Sequence, residues 1–350
     1  MWMILTIAAA ALGGLLLLKM KVPGGMLVGA IVGAACLNLT TQQAFIYPQA
    51  RVLAQSLTGA YIGCMMTRED VRHLPRLLRP YLVVISSLLV LNLAMTALIC
   101  HTTDFDLLTS LFCSAPGGIS DIPLIAMDMG ADASAVAVMQ FVRSIFGMAC
   151  LPSIIVLSDR IIEPQASYGP EEKEERVKDA RKPKPTLQGF LPTFACALAA
   201  GILGKLSGFP AGTMSAALIV SSALKLSGKT SGMPMWLRRV AQVISGCCIG
   251  AGLTRAQAMQ IGQLFLPALA LCLGYIVCCV SVGFLLHKLF HIRLREAMLT
   301  MSPAGATEMA LIAADLGVES ADLVVLQICR LVGVNLLFPH LFNLIVHIFS

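Results

Sequence analysis

Long apolar blocks separated by short polar punctuation make up most of this chain, and they come in two series. The first occupies about residues 3–19, 22–39, 50–66, 80–101, 106–129 and 134–158. The second occupies about 189–205, 209–226, 237–253, 265–287, 294–316 and 322–346. Most blocks lie near the ~18–20 residues that a helix needs to cross a bilayer. One constant offset relates the two series. It places Pro23 on Pro210, AQSLTGAYIGCMMTR (54–68) on AQVISGCCIGAGLTR (241–255), and SAPGGISD (114–121) on MSPAGATE (301–308). Asp128 then meets Asp315, Gly130 meets Gly317, Gln140 meets Gln327, Arg143 meets Arg330 and Pro152 meets Pro339. Self-similarity over such a length decides architecture before any local motif does. The expected organisation is a first membrane repeat over 1–163, a charged link over 164–187 and a second repeat over 188–350. Residues 1–20 resemble a leader, but they lack a basic start and have an internal twin at 188–207, which argues for retained structure.

The fifth block of each series cannot be one helix. SAPGGIS and MSPAGAT carry proline, which removes a donor and clashes with the preceding turn, and glycine, which frees the backbone. Unpaired backbone inside a membrane is tolerated only where protein buries it or where it lines a cavity. Each break is expected to start a second half-helix with its N–H groups and positive dipole end pointing into the protein.

Charge gives orientation. Lys and Arg follow the third block in the first copy (Arg68, Arg72, Arg76, Arg79) but the second and fourth blocks in the second copy (Lys225, Lys229, Arg238, Arg239; Lys288, Arg293, Arg295). Basic loops lie on the cytoplasmic side, so equivalent loops face opposite sides. The predicted fold is an all-α polytopic membrane protein of two inverted-topology repeats. Each has five crossing helices plus a broken segment, re-entrant or crossing, for about ten transmembrane helices. Both termini are then extracytoplasmic and the link cytoplasmic. The polar stretch 159–187 that contains the link holds seven basic and seven acidic residues and has room for one short helix in EEKEERVKDARK.

Composition agrees and excludes alternatives. Of 350 residues, 57% are hydrophobic and 13% charged, with mean hydropathy +0.82, about half the charge of a soluble domain. The net charge of +6 reflects topogenic loops, not a nucleic-acid surface. Twelve cysteines without CxxC spacing read as small apolar packing residues. His287 and His291, the only histidines four apart, lie in a basic loop and do not read as a metal site. The glycine-rich faces Gly59/Gly63 and Gly246/Gly250 read as close helix packing, at an internal or a subunit interface.

The remaining chemistry collects at the two breaks. Candidate solute-binding residues are Ser114, Pro116, Gly117, Gly118, Ser120, Gln140 and Arg143 in the first copy. In the second they are Ser302, Pro303, Gly305, Thr307, Gln327 and Arg330. Asp121 and Glu308, three residues after Gly118 and Gly305, are candidates for a coupling ion. Asp128 and Asp315 suggest caps for the end of the fifth block and the start of the sixth. Gln and Arg three residues apart share a helix face, and a charge at mid-membrane costs at least ~2.5–3.5 kcal/mol, so it pairs or lines water. Two arginines and two half-helix N-termini of one sign point to a small organic anion. The competing structural reading is an arginine–carboxylate pair that locks the fifth block to the sixth and never meets solute.

The pattern S-x-P-G-G, an acidic residue, L-I-A, D-x-G-A-D and Q-x-x-R, present twice over essentially the whole chain, resembles the AbrB-type duplicated membrane proteins of bacteria. The second copy departs from it at Ala304, where the first has Gly117. Members have been labelled ammonia monooxygenase or regulator. The resemblance implies a fold related to bile-acid symporters and cation/proton antiporters, with inverted repeats and crossing broken helices, in the bacterial inner membrane. A monooxygenase would need clustered metal ligands, and a DNA-binding regulator a soluble basic module. Neither is legible here. The expectation is a secondary transporter, not an enzyme, coupled to H+ or Na+, with no cofactor and no nucleic-acid partner. It sits in a lipid bilayer, and a homodimer is compatible with such a fold. The alternative is a channel or a membrane-embedded regulator or receptor.

Overall fold

A computed structural model describes residues 1–20, 22, 24–162, 187–228, 230, 233–255, 259, 261–302 and 321–349. Among the described residues the regular structure is helical. The first half gives α1 (Trp2–Lys19), α2 (Gly25–Thr41), α3 (Gln49–Gly63), α4 (Arg68–Thr102), α5 (Leu107–Ser114), α6 (Ile122–Met129) and α7 (Ala133–Ile162). The second gives α8 (Leu187–Leu206), α9 (Gly212–Leu226), α10 (Met235–Gly252), a 3-10 turn (Ile261–Leu264), α11 (Phe265–Phe290), α12 (Leu294–Met301) and α13 (Ala321–Phe349). The offset that relates the two series also relates these helices: α2 and α9 begin at equivalent positions, and α5 and α12 both begin and end at them.

Among the described residues, four helices are long and apolar enough to cross a membrane: Trp2–Lys19, Asp70–Thr102, Phe265–Phe290 and Asp322–Phe349. A fifth candidate, Ala133–Ser158, bends by 43° around residue 148. The bend falls four residues before Pro152, whose ring removes a hydrogen bond and crowds that carbonyl. Where the sequence leads one to expect about ten crossing helices, the rest are shorter. Gly25–Thr41, Phe190–Leu206 and Gly212–Leu226 are apolar, while α3 and α10 mix polar residues into their sequences.

Helix α4 also starts earlier than the apolar pattern at residue 80 suggests. Thr67 accepts from the Asp70 N–H at 3.3 Å while Asp70 Oδ2 accepts from the Thr67 N–H at 2.7 Å. This capping box nucleates three turns ahead of the apolar run, and Pro75 and Pro80 are carried inside the helix.

The helices pack as two groups, α1–α3 with α8–α10, and α4–α7 with α11–α13. Within the first group the packing is reciprocal between halves: α3 lies on α9, and α10 lies on α2. Glycine permits both approaches. A Cβ on Gly59 would meet the Met214 carbonyl at 2.6 Å, and one on Gly246 would run into Ala30. Two arginines at equivalent positions of the repeat reinforce the exchange. Arg68 Nε donates to the Leu226 carbonyl (2.5 Å) at the end of α9, and Arg255 Nη2 to the Leu39 carbonyl (3.3 Å) near the end of α2. The second group holds the larger side chains, with Phe112, Phe338 and Phe342 edge to face at 5.0 and 5.6 Å. Contact between the groups runs mainly through α3 and α10 against α6, α7 and α13.

Candidate functional site

Helix α5 stops because Pro116 follows it. Ala115 takes the extended conformation (φ −60°, ψ 135°) that a residue before proline requires. Ser302, which precedes Pro303, adopts the same one (φ −59°, ψ 138°). Between α5 and α6 the chain is irregular from Ala115 to Asp121. The first glycine of the break is the tighter: a Cβ at Gly117 would collide with the Ile122 side chain, whereas one at Gly118 would meet only the Asp121 carboxylate, at 2.5 Å from Oδ2.

The carbonyl end of the break is gripped by α7. Gln140 Nε2 donates to the Phe112 and Ala115 carbonyls at 3.1 and 3.0 Å. Arg143 Nη1 donates to the Ala115 carbonyl at 2.5 Å and to the Tyr275 hydroxyl at 3.3 Å, and Nη2 donates to the Gly117 carbonyl. The guanidinium lies 5.4 Å from the centre of the Tyr275 ring. The second half repeats the grip. Gln327 Nε2 donates to the Leu299 carbonyl (2.8 Å), and Arg330 Nη1 to the Thr300 and Ser302 carbonyls (2.8 and 2.6 Å). A cation at the carbonyl end of a half-helix is favoured by its dipole as well as by the hydrogen bonds. The donors expected to hold a solute carboxylate are therefore largely engaged by backbone, although Arg143 Nε is buried without a partner. Arg143 is 1% exposed and makes no ion pair with a described carboxylate.

The N–H end of the break faces the other helix group. The N–H groups of Gly118, Ile119 and Ser120 have no protein partner among the described residues. Ser120 Oγ accepts from Gln242 Nε2 of α10 at 2.9 Å. The Leu124 carbonyl accepts from Gln55 Nε2 of α3 at 3.1 Å, and the Met127 carbonyl from Arg51 Nη1 at 3.3 Å. Gln55 Oε1 is buried and unpartnered. Gln55 and Gln242 are themselves equivalent positions of the repeat. Ser120 and Asp121 are each 7% exposed, while Gly117 and Gly118 are half-buried.

Of the predicted residues, Pro116, Gly117, Gly118, Ser120, Asp121, Gln140 and Arg143 form one cluster. Ser114 turns away from it: its hydroxyl is shared among Asn92, Thr96 and Ser110 and ties α5 to α4. Ser302, Gln327 and Arg330 form the second grip. Pro303, Gly305, Thr307, Glu308 and Asp315 lie outside the described residues, as does the helix suggested in the link. Asp128 does not cap as expected. Gly130 (φ 90°) closes α6, and Asp132 Oδ1 accepts from the Ser134 and Ala135 N–H groups to start α7. Gln55, Gln242, Asn92 and Tyr275 are additions that the structure makes to the predicted set. For the glutamines the signal is present in the sequence, a polar residue twice in a repeated apolar stretch. Tyr275 has no such twin, since its equivalent in the first copy is Leu88.

The family described as "Transition state regulatory protein AbrB" matches residues 1–159 and 164–346. The chain belongs to the AbrB family. Its relatives include "Uncharacterized protein YhjN" of Bacillus subtilis (strain 168), 24% identical over 361 residues, 98% of this chain and 92% of that protein. "Putative regulator AbrB" of Escherichia coli (strain K12) is 25% identical over 335 residues, 92% of this chain and 90% of that one. This AbrB-family chain is thus a helical, membrane-like protein with paired Gln–Arg grips on the carbonyl ends of α5 and α12.

Proposed function

We propose that this AbrB-family protein is a secondary carrier for a small anionic organic solute, coupled to H+ or Na+. The observation that carries the reading is the open N–H end of the break, facing the seam between the two helix groups. Three unpartnered N–H groups and a hydroxyl at the start of α6 suit an anion, and a seam between two packed groups is where a carrier can open alternately to either side. Arg143 and Arg330 act here mainly by holding the breaks and by making the seam positive, with Arg143 Nε the remaining donor. Asp121, with Glu308 as its counterpart, serves the coupling cation. In this reading the halves are inverted repeats, the shorter helices also cross the apolar layer, and the link is cytoplasmic.

The test is thermal stability of the purified protein against short mono- and dicarboxylates, amino acids and ammonium, with and without Na+ and at two pH values. A ligand at 100 times its dissociation constant adds ~2.7 kcal/mol of stability, a readable shift in melting temperature. A carboxylate that stabilises the protein, with the shift lost in Ser120→Ala or Gln242→Leu, is expected. Stabilisation by ammonium or another cation alone would overturn the anion reading.

A further inference from the structure

Helix α4 is 35 residues long, about 52 Å at 1.5 Å per residue, against a hydrocarbon layer of ~30 Å. Its apolar run begins near Tyr81, so the three turns from Arg68 to Pro80 lie at headgroup depth or beyond. Three arcs divide these turns. Asp70, Leu74, Leu77 and Tyr81 face inward, and Leu77 packs with Val325, Leu326 and Cys329 of α13. Val71, Pro75, Leu78 and Leu82, spaced four, three and four apart, form an exposed apolar arc, with Val71, Leu78 and Leu82 39%, 46% and 53% exposed. Beside it Arg68, Arg72, Arg76 and Arg79, spaced four, four and three apart, form an exposed basic arc.

Arg68 is committed to the Leu226 carbonyl. Arg72, Arg76 and Arg79 are exposed and have no partner among the described residues. Of the nearby acids whose side chains are described, Asp70 caps α4, and Asp322 lies 3.6 Å from His73. The helix packing common to the two copies does not require these arginines, since the equivalent positions of the second copy are Met259, Gln263 and Leu266; they mark the face on which basic loops lie. We infer that Arg72, Arg76 and Arg79 form a binding site for the phosphate headgroup of an anionic phospholipid, whose acyl chain descends past Leu78 and Leu82 into the hydrocarbon layer. Guanidinium suits phosphate by its forked donors, and basic residues beside a membrane helix attract anionic lipid additively. The site bears on the helix group that carries the breaks, since Asn92 Nδ2 of the same helix donates to the Leu111 carbonyl and Ser114 Oγ of α5.

The experiment places the full chain in nanodiscs of phosphatidylcholine with increasing phosphatidylglycerol and follows melting temperature. It compares the wild type, the triple variant R72Q/R76Q/R79Q, the charge-keeping variant R72K/R76K/R79K and the control K288Q. Phosphatidylglycerol is expected to raise the wild-type melting temperature. The triple glutamine variant should need on the order of a hundredfold more anionic lipid for the same shift, whereas the lysine variant and K288Q should keep most of it. An equal shift in the glutamine variant, or an equal loss in K288Q, overturns the site. So does a wild-type shift reproduced by free inorganic phosphate, which would assign these arginines to a soluble anion. Lipid retained by the delipidated wild type, read by native mass spectrometry, gives the same decision should the glutamine variant fail to fold. Phosphatidylglycerol retained at one copy supports the site, and none retained contradicts it.

Discussion

Arg143 is a charge enclosed by protein whose described partners are two carbonyls and a phenol, an arrangement that makes it a fastener of the break. Removing it leaves the buried Ala115 carbonyl and the half-buried Gly117 carbonyl with fewer donors. Arg143→Met should therefore cost about 2–4 kcal/mol, read as a large drop in melting temperature without any ligand present. Arg143→Lys keeps the charge but loses the fork and should fall between. A residue that served only the solute would leave the unliganded stability unchanged. Gly117 sets a second residue-level test. Gly117→Ala should destabilise by about 1–3 kcal/mol through the collision with Ile122, and Ile122→Val in the same chain should recover part of the loss. A double-mutant cycle with no coupling would contradict the close contact.

At the scale of elements, much is legible in the sequence. The constant offset between the copies locates the first break, both Gln–Arg pairs and both glycine faces, because each is a residue type with a strong physical reason to recur; the second break falls outside the described residues. What the sequence does not reveal is where those side chains point. Gln140 and Arg143 sit on one face, as their spacing requires, but that face turns to the carbonyls of α5, and only tertiary packing decides this. The early start of α4 is hidden because charged residues and two prolines interrupt the apolar positions of its first three turns, and the capping box of Thr67 and Asp70 sets the start regardless. The partner of α3 is also hidden, since nothing in a glycine face says which helix will approach it. The structure gives α9 to α3 and α2 to α10, which leads to a prediction about elements. Gly246→Val should force α10 from α2 and cost several kcal/mol, about 2–4. The same change at Gly252, where a Cβ would meet nothing within 4 Å, should cost less than about 1 kcal/mol. Equal losses of folded protein on size-exclusion chromatography would contradict the packing.

At the scale of the whole molecule, two internally packed helix groups meet along a seam where polar contacts hold the first break. Gln55 and Gln242 each reach across it to the break or to the half-helix that follows. Gln55→Leu and Gln242→Leu remove one seam contact apiece and should cost little stability, about 1 kcal/mol. They should change the rate of any process that slides the groups past each other far more. Uptake and melting temperature, measured on the same preparations, check that split. If both variants lose stability and activity in proportion, the seam is merely core.

The most direct test of the carrier account is uptake into liposomes containing the purified protein. It uses the labelled carboxylate that gives the largest thermal shift, under an imposed Na+ or proton gradient and again with that gradient dissipated. The account predicts accumulation above the external concentration while the gradient lasts, loss of it when the gradient is dissipated, and loss of it in Asp121→Asn. Uptake that only equilibrates the carboxylate, at a rate indifferent to either gradient, would make the protein a channel and contradict the coupled-carrier account.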